Sequence, residues 1–161
     1  MKMTASLEVG MVVRDLDAMI AFYEEALDMS VEMRFPMDED LTESFGWERC
    51  SCEVAYMRTQ HGERIKLCDP PSPAREEPTF GGLQGYSYLT FTVADIDEVA
   101  VAIQKAGATS ISTPTILGEP GTFPRFGGFR DPEGNAFDLY EPDPDAAPDA
   151  LASEVADRFT K

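Results

Sequence analysis

Four side chains in the sequence, Glu8, Lys66, Tyr88 and Asp138, are of types that together could move a proton. Carboxylates act as general bases, and a tyrosine phenol donates a hydrogen bond or acts as an acid. A lysine ammonium stabilises the negative charge that develops on an enolate or alkoxide oxygen. The set suits the removal or shift of a proton next to a carbonyl group, provided that the fold brings the four together.

An internal repeat selects the same four positions. Segment 7–17 matches segment 87–97, which pairs Glu8 with Tyr88. Segment 62–70 matches segment 134–142, which pairs Lys66 with Asp138. Self-similarity of this kind indicates two copies of one supersecondary unit.

Each copy is predicted to contain a strand, a helix and three further strands. Apolar residues alternate through 9–13 and 89–93, which is the period of a half-buried strand. Apolar stripes then follow at helical spacing, with Asp15 and Asp95 placed as N-caps. The remaining strands are expected near residues 30–35, 52–58, 109–113 and 124–130 and within the two matching segments. Residues 37–48 are expected to form an irregular excursion.

Alternation along a strand decides which side chains share a face of the sheet. Lys66 lies between Ile65 and Leu67, and Glu8 and Asp138 likewise stand next to apolar residues. Because the apolar faces must pack on the helices, the polar residues are predicted to lie on the opposite faces.

Two phrases in the sequence, residues 9–17 (VGMVVRDLD) and 130–139 (RDPEGNAFDL), resemble the glyoxalase/bleomycin-resistance/extradiol-dioxygenase family, also called the vicinal oxygen chelate superfamily. The resemblance covers roughly residues 5–142. It implies an α+β fold of two tandem βαβββ modules, whose curled mixed sheets form an open barrel-like cavity. We expect module one at about 5–70, a linker at 71–85, module two at about 86–142, and an acidic tail at 143–161 with a short C-terminal helix.

In that family the cavity holds a divalent metal, whose ligands on the first and last strand of each module are usually His, Glu or Gln. The resemblance places Glu8, Lys66, Tyr88 and Asp138 at these ligand positions. No position carries His, and a protonated lysine cannot ligate a metal. We therefore assign no metal ligands, although Glu8 and Asp138 could hold a hard divalent cation with waters.

Three functions are compatible with this pattern. The leading hypothesis is a small-molecule isomerase or lyase in which Lys66 replaces the metal as the stabilising cation and a carboxylate moves the proton. The first alternative is a non-catalytic drug- or metabolite-binding resistance protein in which Lys66 and the carboxylates form a satisfied ion pair. The second is a divalent-metal-dependent lyase or dioxygenase.

Further side chains are candidates for substrate binding. Arginines could receive a substrate carboxylate, aromatic residues could form the wall of a pocket, and a threonine extends the polar face of the second copy. The alternatives are surface charge for the arginines and core packing for the aromatic residues. The candidates are Arg34, Trp47, Tyr56, Arg58, Thr90, Arg125 and Tyr140.

The amino-acid composition limits the classes of molecule that the protein is expected to bind. Thirteen basic and thirty acidic residues give a net charge of −17 at pH 7, which repels nucleic acid and anionic membrane surfaces. The sequence shows no apolar run that could act as a signal peptide or a membrane span, so a cytoplasmic location is expected. The expected partners are a small-molecule ligand and, from the resemblance, a second copy of the chain.

Overall fold

The computed structural model describes residues 8–44, 49–71, 88–112, 115–116 and 124–144. The chain divides into two compact units, Met1–Glu77 and Pro78–Lys161. The predicted linker, apart from residue 71, and the C-terminal helix lie outside the described residues, and the predicted module boundaries stay predictions.

The first unit, unit 1, has one open mixed sheet with the strand order β1-β4-β3-β2. Its elements are β1 (Glu8–Val12), α1 (Leu16–Leu27), β2 (Ser30–Met37), α2 (Glu39–Ser44), β3 (Cys52–Arg58) and β4 (Arg64–Cys68). The first strand runs parallel to the last, whereas the other neighbours are antiparallel.

The second unit, unit 2, repeats this topology with the strand order β5-β9-β8-β6, and β7 also pairs with β8. Its elements are β5 (Leu89–Thr92), α3 (Ile96–Lys105), β6 (Thr109–Ser110), β7 (Thr115–Ile116), β8 (Arg125–Arg130) and β9 (Ala136–Glu141). The first and last strands are again parallel. The predicted α+β fold of two tandem βαβββ modules is confirmed, and neither sheet closes into a barrel.

Both main helices begin at the predicted aspartate caps. The Asp15 carboxylate accepts a hydrogen bond from the Ala18 backbone N–H at 2.9 Å. Asp95 accepts two, from Asp97 and Glu98, each at 3.0 Å. These caps satisfy backbone donors that the first helical turn leaves without partners. Gly107, with φ of 103°, follows the end of α3 in a left-handed conformation that glycine adopts without strain.

The alternating burial expected on the last strands is present. Ile65 and Leu67 are buried while Lys66 between them is partly exposed, and Phe137 and Leu139 are buried on either side of Asp138. In unit 1 the buried face packs under α1, which contacts β2, β3 and β4. In unit 2 it packs under α3, which contacts β8 and β9.

One element differs from the expectation. The supposed irregular excursion contains the helix α2, and β2 extends to Met37. The missed signal is Asp38, whose carboxylate accepts a hydrogen bond from the Leu41 N–H at 2.8 Å as an N-cap does. No helix in the described ranges has the length and apolar character needed to cross a membrane.

We expect Asp95→Ala to lower the free energy of unfolding by about 1 kcal/mol, because two backbone donors of α3 lose their acceptor. Asp95→Ser should recover most of that loss, since serine also caps helices. Urea unfolding followed by circular dichroism measures both variants. An alanine variant as stable as the parent protein would show that this cap contributes nothing to stability.

Candidate functional site

The candidate site in unit 1 lies on the face of its sheet opposite α1, which we call the polar face of unit 1. Lys66 on β4 pairs in register with Gly10 on β1 and with Tyr56 on β3. A Cβ atom added to Gly10 would meet no atom of the described residues within 4 Å. Within the described residues, Lys66 therefore has an aromatic ring on one side and open space on the other.

The Lys66 ammonium is paired with Glu8. Its Nζ lies 2.8 Å from the Glu8 Oε2, and both side chains are about one-third exposed, at 32% and 30%. Nζ also lies 5.0 Å from the centre of the Tyr56 ring, within the range of a cation–π contact. The hydrogen bond to Glu8, and to a smaller extent Tyr56, raises the pKa of Lys66 above its ordinary value of 10.5. Lys66 is therefore a permanent cation at neutral pH, suited to stabilising negative charge.

Two arginines and a second glutamate extend this charged cluster. Arg64 hydrogen bonds to Glu32 through Nε and, at 2.9 Å, through Nη2, and Arg58 donates to the same carboxylate at 3.1 Å. Arg64 Nη1 lies 3.8 Å from the Glu8 Oε1. The Glu8 carboxylate thus stands between Lys66 on one oxygen and Arg64 on the other.

The opposite end of the same face is apolar. Met37, Cys52, Val54 and Cys68 form a buried cluster against which Phe35 and Tyr56 pack. Burial raises the pKa of the Cys68 thiol to about 11, which disfavours the reactive thiolate. Tyr56 lies at the boundary between the apolar and the charged end, as the wall of a pocket would.

In unit 2 the corresponding position holds Asp138, which pairs in register with Thr90 and Gly128. Burial raises the pKa of the Asp138 carboxyl above its ordinary value of 3.8, and a hydrogen bond with Thr90 opposes that rise. Its Oδ1 is buried and has no hydrogen-bond partner in the part of the chain that the structure describes. Among the described residues, Asp138 therefore has no cationic partner, whereas Lys66 at the equivalent position of unit 1 is itself a cation paired with Glu8.

The two tyrosines of unit 2 differ in exposure. Tyr88 precedes β5 and is 51% exposed. Tyr140 is 1% exposed, and its ring packs on Phe126 with 4.7 Å between ring centres. Tyr140 is thus a core residue of unit 2, which does not favour its predicted ligand contact.

Two of the predicted substrate-binding arginines lie on the helix side of their sheets. Arg34 bridges Asp17 in the first turn of α1 and Glu53 on β3, at 2.6 and 2.5 Å. Arg125 bridges Asp97 in the first turn of α3 and Glu141 on β9, at 2.8 and 3.2 Å. Each guanidinium ties a helix start to its sheet, and binding of a substrate carboxylate by either stays a prediction that this geometry does not favour.

The structure thus brings together Glu8 with Lys66 in unit 1 and Thr90 with Asp138 in unit 2. The convergence of all four predicted catalytic residues stays a prediction, and Trp47 lies outside the described residues. Sequence reasoning missed Arg64 and Glu32. The alternation that selected Lys66 also places Arg64 on its face, whereas Glu32 lies where the pairing of β2 with β3 shifts register between Val31 and Met33.

The donor set does not fit the divalent metal that the resemblance implies. In unit 1 one ligand position carries an ammonium, and that ammonium binds the carboxylate at the other position. Such a charge opposes a nearby divalent cation. Across the described ranges, no group of three or more His, Cys, Asp or Glu residues could hold a metal ion.

Comparisons with known proteins agree with this architecture. The model of the Glyoxalase/Bleomycin resistance protein/Dioxygenase superfamily matches residues 6–139. A comparison with curated proteins finds no match.

Among solved structures, a glyoxalase family protein from Bacillus cereus is 29% identical, with a TM-score of 0.75 over 88% of this chain and 95% of that one. A glyoxylase/bleomycin resistance protein/dioxygenase domain from Frankia sp. EAN1pec is 22% identical, with a TM-score of 0.68 over 90% and 96%. The fosfomycin resistance protein FosX from Listeria monocytogenes is 14% identical, with a TM-score of 0.60 over 87% and 94%. At these identities the last two show the shared fold alone.

We expect the Asp138 carboxyl to titrate above 3.8 in the folded protein, because burial disfavours its charged form. Thr90→Val should raise its pKa further by removing the hydrogen bond that stabilises the carboxylate. The measurement is the pH dependence of the Asp138 side-chain carbon resonance by nuclear magnetic resonance (NMR).

Thr92→Val is the matched control, since Thr92 lies on the same strand but pairs with Tyr140. The raised pKa of Asp138 also predicts how stability depends on pH. At neutral pH the charged Asp138 side chain lowers the free energy of unfolding, so the Asp138→Asn variant should be more stable than the parent protein. This difference in stability should shrink as the pH falls below the pKa of Asp138 in the folded protein. A titration midpoint at or below 3.8 would contradict the expectation.

Proposed function

We propose that this chain, which belongs to the Glyoxalase/Bleomycin resistance protein/Dioxygenase superfamily, is a small-molecule enzyme of the isomerase or lyase type. The proposed reaction moves a proton next to a carbonyl group. The observation that carries the proposal is the Glu8–Lys66 pair at 2.8 Å on the polar face of unit 1. It supplies a fixed cation and a carboxylate base in one place.

Lys66 takes the electrostatic role in this reaction. Its ammonium has three N–H donors, and Glu8 Oε2 accepts one of them. Another can donate to the carbonyl oxygen of a substrate lying over Gly10. As the proton leaves the neighbouring carbon, its electron pair moves onto that oxygen, and the ammonium stabilises the enolate. A donor of this kind contributes about 100- to 1000-fold in rate.

Glu8 is the base in this reaction. Its Oε2 bonds to Lys66, while its Oε1 has only the long 3.8 Å contact to Arg64 among the interactions of the described residues, so Glu8 can accept a proton at Oε1 even while the pair is intact. With an α-hydroxy carbonyl substrate, transfer of that proton to the former carbonyl carbon, together with a proton shift from the hydroxyl to the enolate oxygen, completes an isomerisation. Expulsion of a leaving group from the carbon on the other side of the deprotonated carbon completes an elimination instead. The participation of Asp138 and Tyr88, which lie in unit 2, stays a prediction from the sequence.

A second candidate function is the binding of a drug or metabolite without catalysis. It is favoured by the apolar cluster and the Phe35–Tyr56 pair, whose ring centres lie 6.0 Å apart beside the charged end of the face. Aromatic walls with a few polar groups are typical of ligand pockets. In this case the Glu8–Lys66 pair fixes the ligand's orientation and no bond changes.

Solvent deuterium incorporation separates the two functions without knowledge of the product. We expect the protein to catalyse exchange of the hydrogen next to the carbonyl in at least one member of a panel of small 2-oxo acids and hydroxyketones in D₂O, followed by NMR. Lys66→Met should lower that exchange rate by about 100-fold or more, because the enolate loses its cation. Lys105→Met, which removes an exposed lysine on α3, should leave it unchanged.

If a panel compound binds but its hydrogen does not exchange, the function is ligand binding without catalysis and the proposed enzyme activity is wrong. Exchange that persists in Lys66→Met would remove Lys66 from the mechanism. A circular dichroism spectrum and thermal midpoint equal to those of the parent protein exclude unfolding as the cause of a loss.

A further inference from the structure

The charged cluster on the polar face of unit 1 has a surplus of positive charge. Arg58, Arg64 and Lys66 contribute three cations and Glu8 and Glu32 two anions, so 3 − 2 leaves +1. The whole chain carries −17. Charges farther away than about 8 Å are largely screened at physiological ionic strength, so a small ligand at this face responds chiefly to the local surplus.

Arg64 is positioned to bind an anion. Its Nε and Nη2 are held by Glu32, which orients the planar guanidinium. Its Nη1 faces Glu8 at 3.8 Å, which is too long for a hydrogen bond. Thus one end of the guanidinium is anchored and the other end is weakly engaged.

The Glu8 carboxylate sits between these two cations as a bound carboxylate would. One oxygen meets Lys66 Nζ at 2.8 Å and the other lies nearest Arg64 Nη1. Next to it, Gly10 leaves open space within the described part of the chain, and the Gly10 backbone has no positive φ that would restrict the residue type. Within the described residues, a ligand can therefore approach the Glu8–Lys66 pair from the Gly10 side.

We infer that Lys66 and Arg64 form a binding site for the oxyanion group of the ligand, a carboxylate, phosphate or phosphonate, and that Glu8 occupies this site in the resting protein. Ligand binding replaces the Glu8 carboxylate with the ligand's oxyanion and releases Glu8. Because this ligand class refines the proposed function, it rests on that function's premise that the polar face of unit 1 binds a small molecule. The released Glu8 is then free to act as the base.

The test is the binding of acetate and methylphosphonate, with neutral acetamide as the control, at a constant ionic strength of about 150 mM. The readout is the NMR shift of the Gly10 backbone amide. We expect saturable shifts with at least one of the two anions and none with acetamide. The anion that binds more tightly identifies the group as a carboxylate or as a phosphonate-like oxyanion.

Glu8→Gln is the decisive variant, because it removes the resident carboxylate and leaves a neutral side chain of the same size. It should tighten anion binding by about tenfold or more, since one competing charge near two cations is worth at least 1.4 kcal/mol, a factor of ten. Lys66→Met and Arg64→Met should each weaken binding by about tenfold. Lys105→Met and Arg49→Met, which change cations outside this face, should leave it unchanged.

Unfolding cannot mimic the tighter binding expected of Glu8→Gln. Equal binding of acetate and acetamide, or unchanged affinity in Glu8→Gln, would overturn the inference. Gly10→Val should block anion binding, read in this variant from the neighbouring Met11 backbone amide, while the thermal midpoint is kept. Unhindered binding in that variant would place the ligand elsewhere. If anion binding fails but Lys66-dependent deuterium exchange of a neutral hydroxyketone is seen, the proposed function stands and the ligand class is wrong.

Discussion

The parallel pairing of the first strand with the last strand in each unit is the constraint on which the candidate site depends. In unit 1 this register sets Gly10 beside Lys66, and in unit 2 it sets Thr90 beside Asp138. A slip of one residue would turn every side chain of a strand to the opposite face. The buried neighbours of Lys66, Ile65 and Leu67, prevent that slip because they would lose their packing under α1. Core packing thereby fixes where the charged groups stand.

The two units use one topology for different electrostatics. In unit 1 the position on the last strand carries an ammonium in a cluster of opposite charges. In unit 2 the equivalent position carries Asp138, with burial raising its pKa and a buried oxygen that has no partner in the described residues. The arginine that ties the helix to the sheet also comes from a different strand in each unit, since Arg34 on β2 pairs with α1 whereas Arg125 on β8 pairs with α3. The scaffold is therefore tolerant of charge exchange at equivalent places, which is expected when function resides in side chains placed on a common fold.

The sequence alone predicted the fold and, in the charged cluster of unit 1, Glu8 and Lys66 but not Arg64 and Glu32. Strand alternation and the repeat predicted the faces of Glu8, Lys66 and Asp138, because a residue between two core positions has to face away from the core. The roles of Arg34 and Arg125 could not be predicted. Which face of the sheet a side chain on a middle strand occupies depends on the register with which that strand pairs with its neighbours. Glu32 was missed because a local shift in register has no pattern in the sequence, and α2 because a single capping aspartate was the only sign of it.

In the proposed reaction a fixed lysine cation, Lys66, performs the electrostatic role at the polar face of unit 1. Rescue of the Lys66→Ala variant by added n-propylammonium tests it most directly, with deuterium exchange next to a carbonyl as the readout. We expect the variant to lose exchange and the free ammonium compound to restore it in a saturable way. Neutral propanol should have no such effect. Full exchange in Lys66→Ala without any amine, or restoration by Mn²⁺ but not by the ammonium compound, would contradict this role of Lys66.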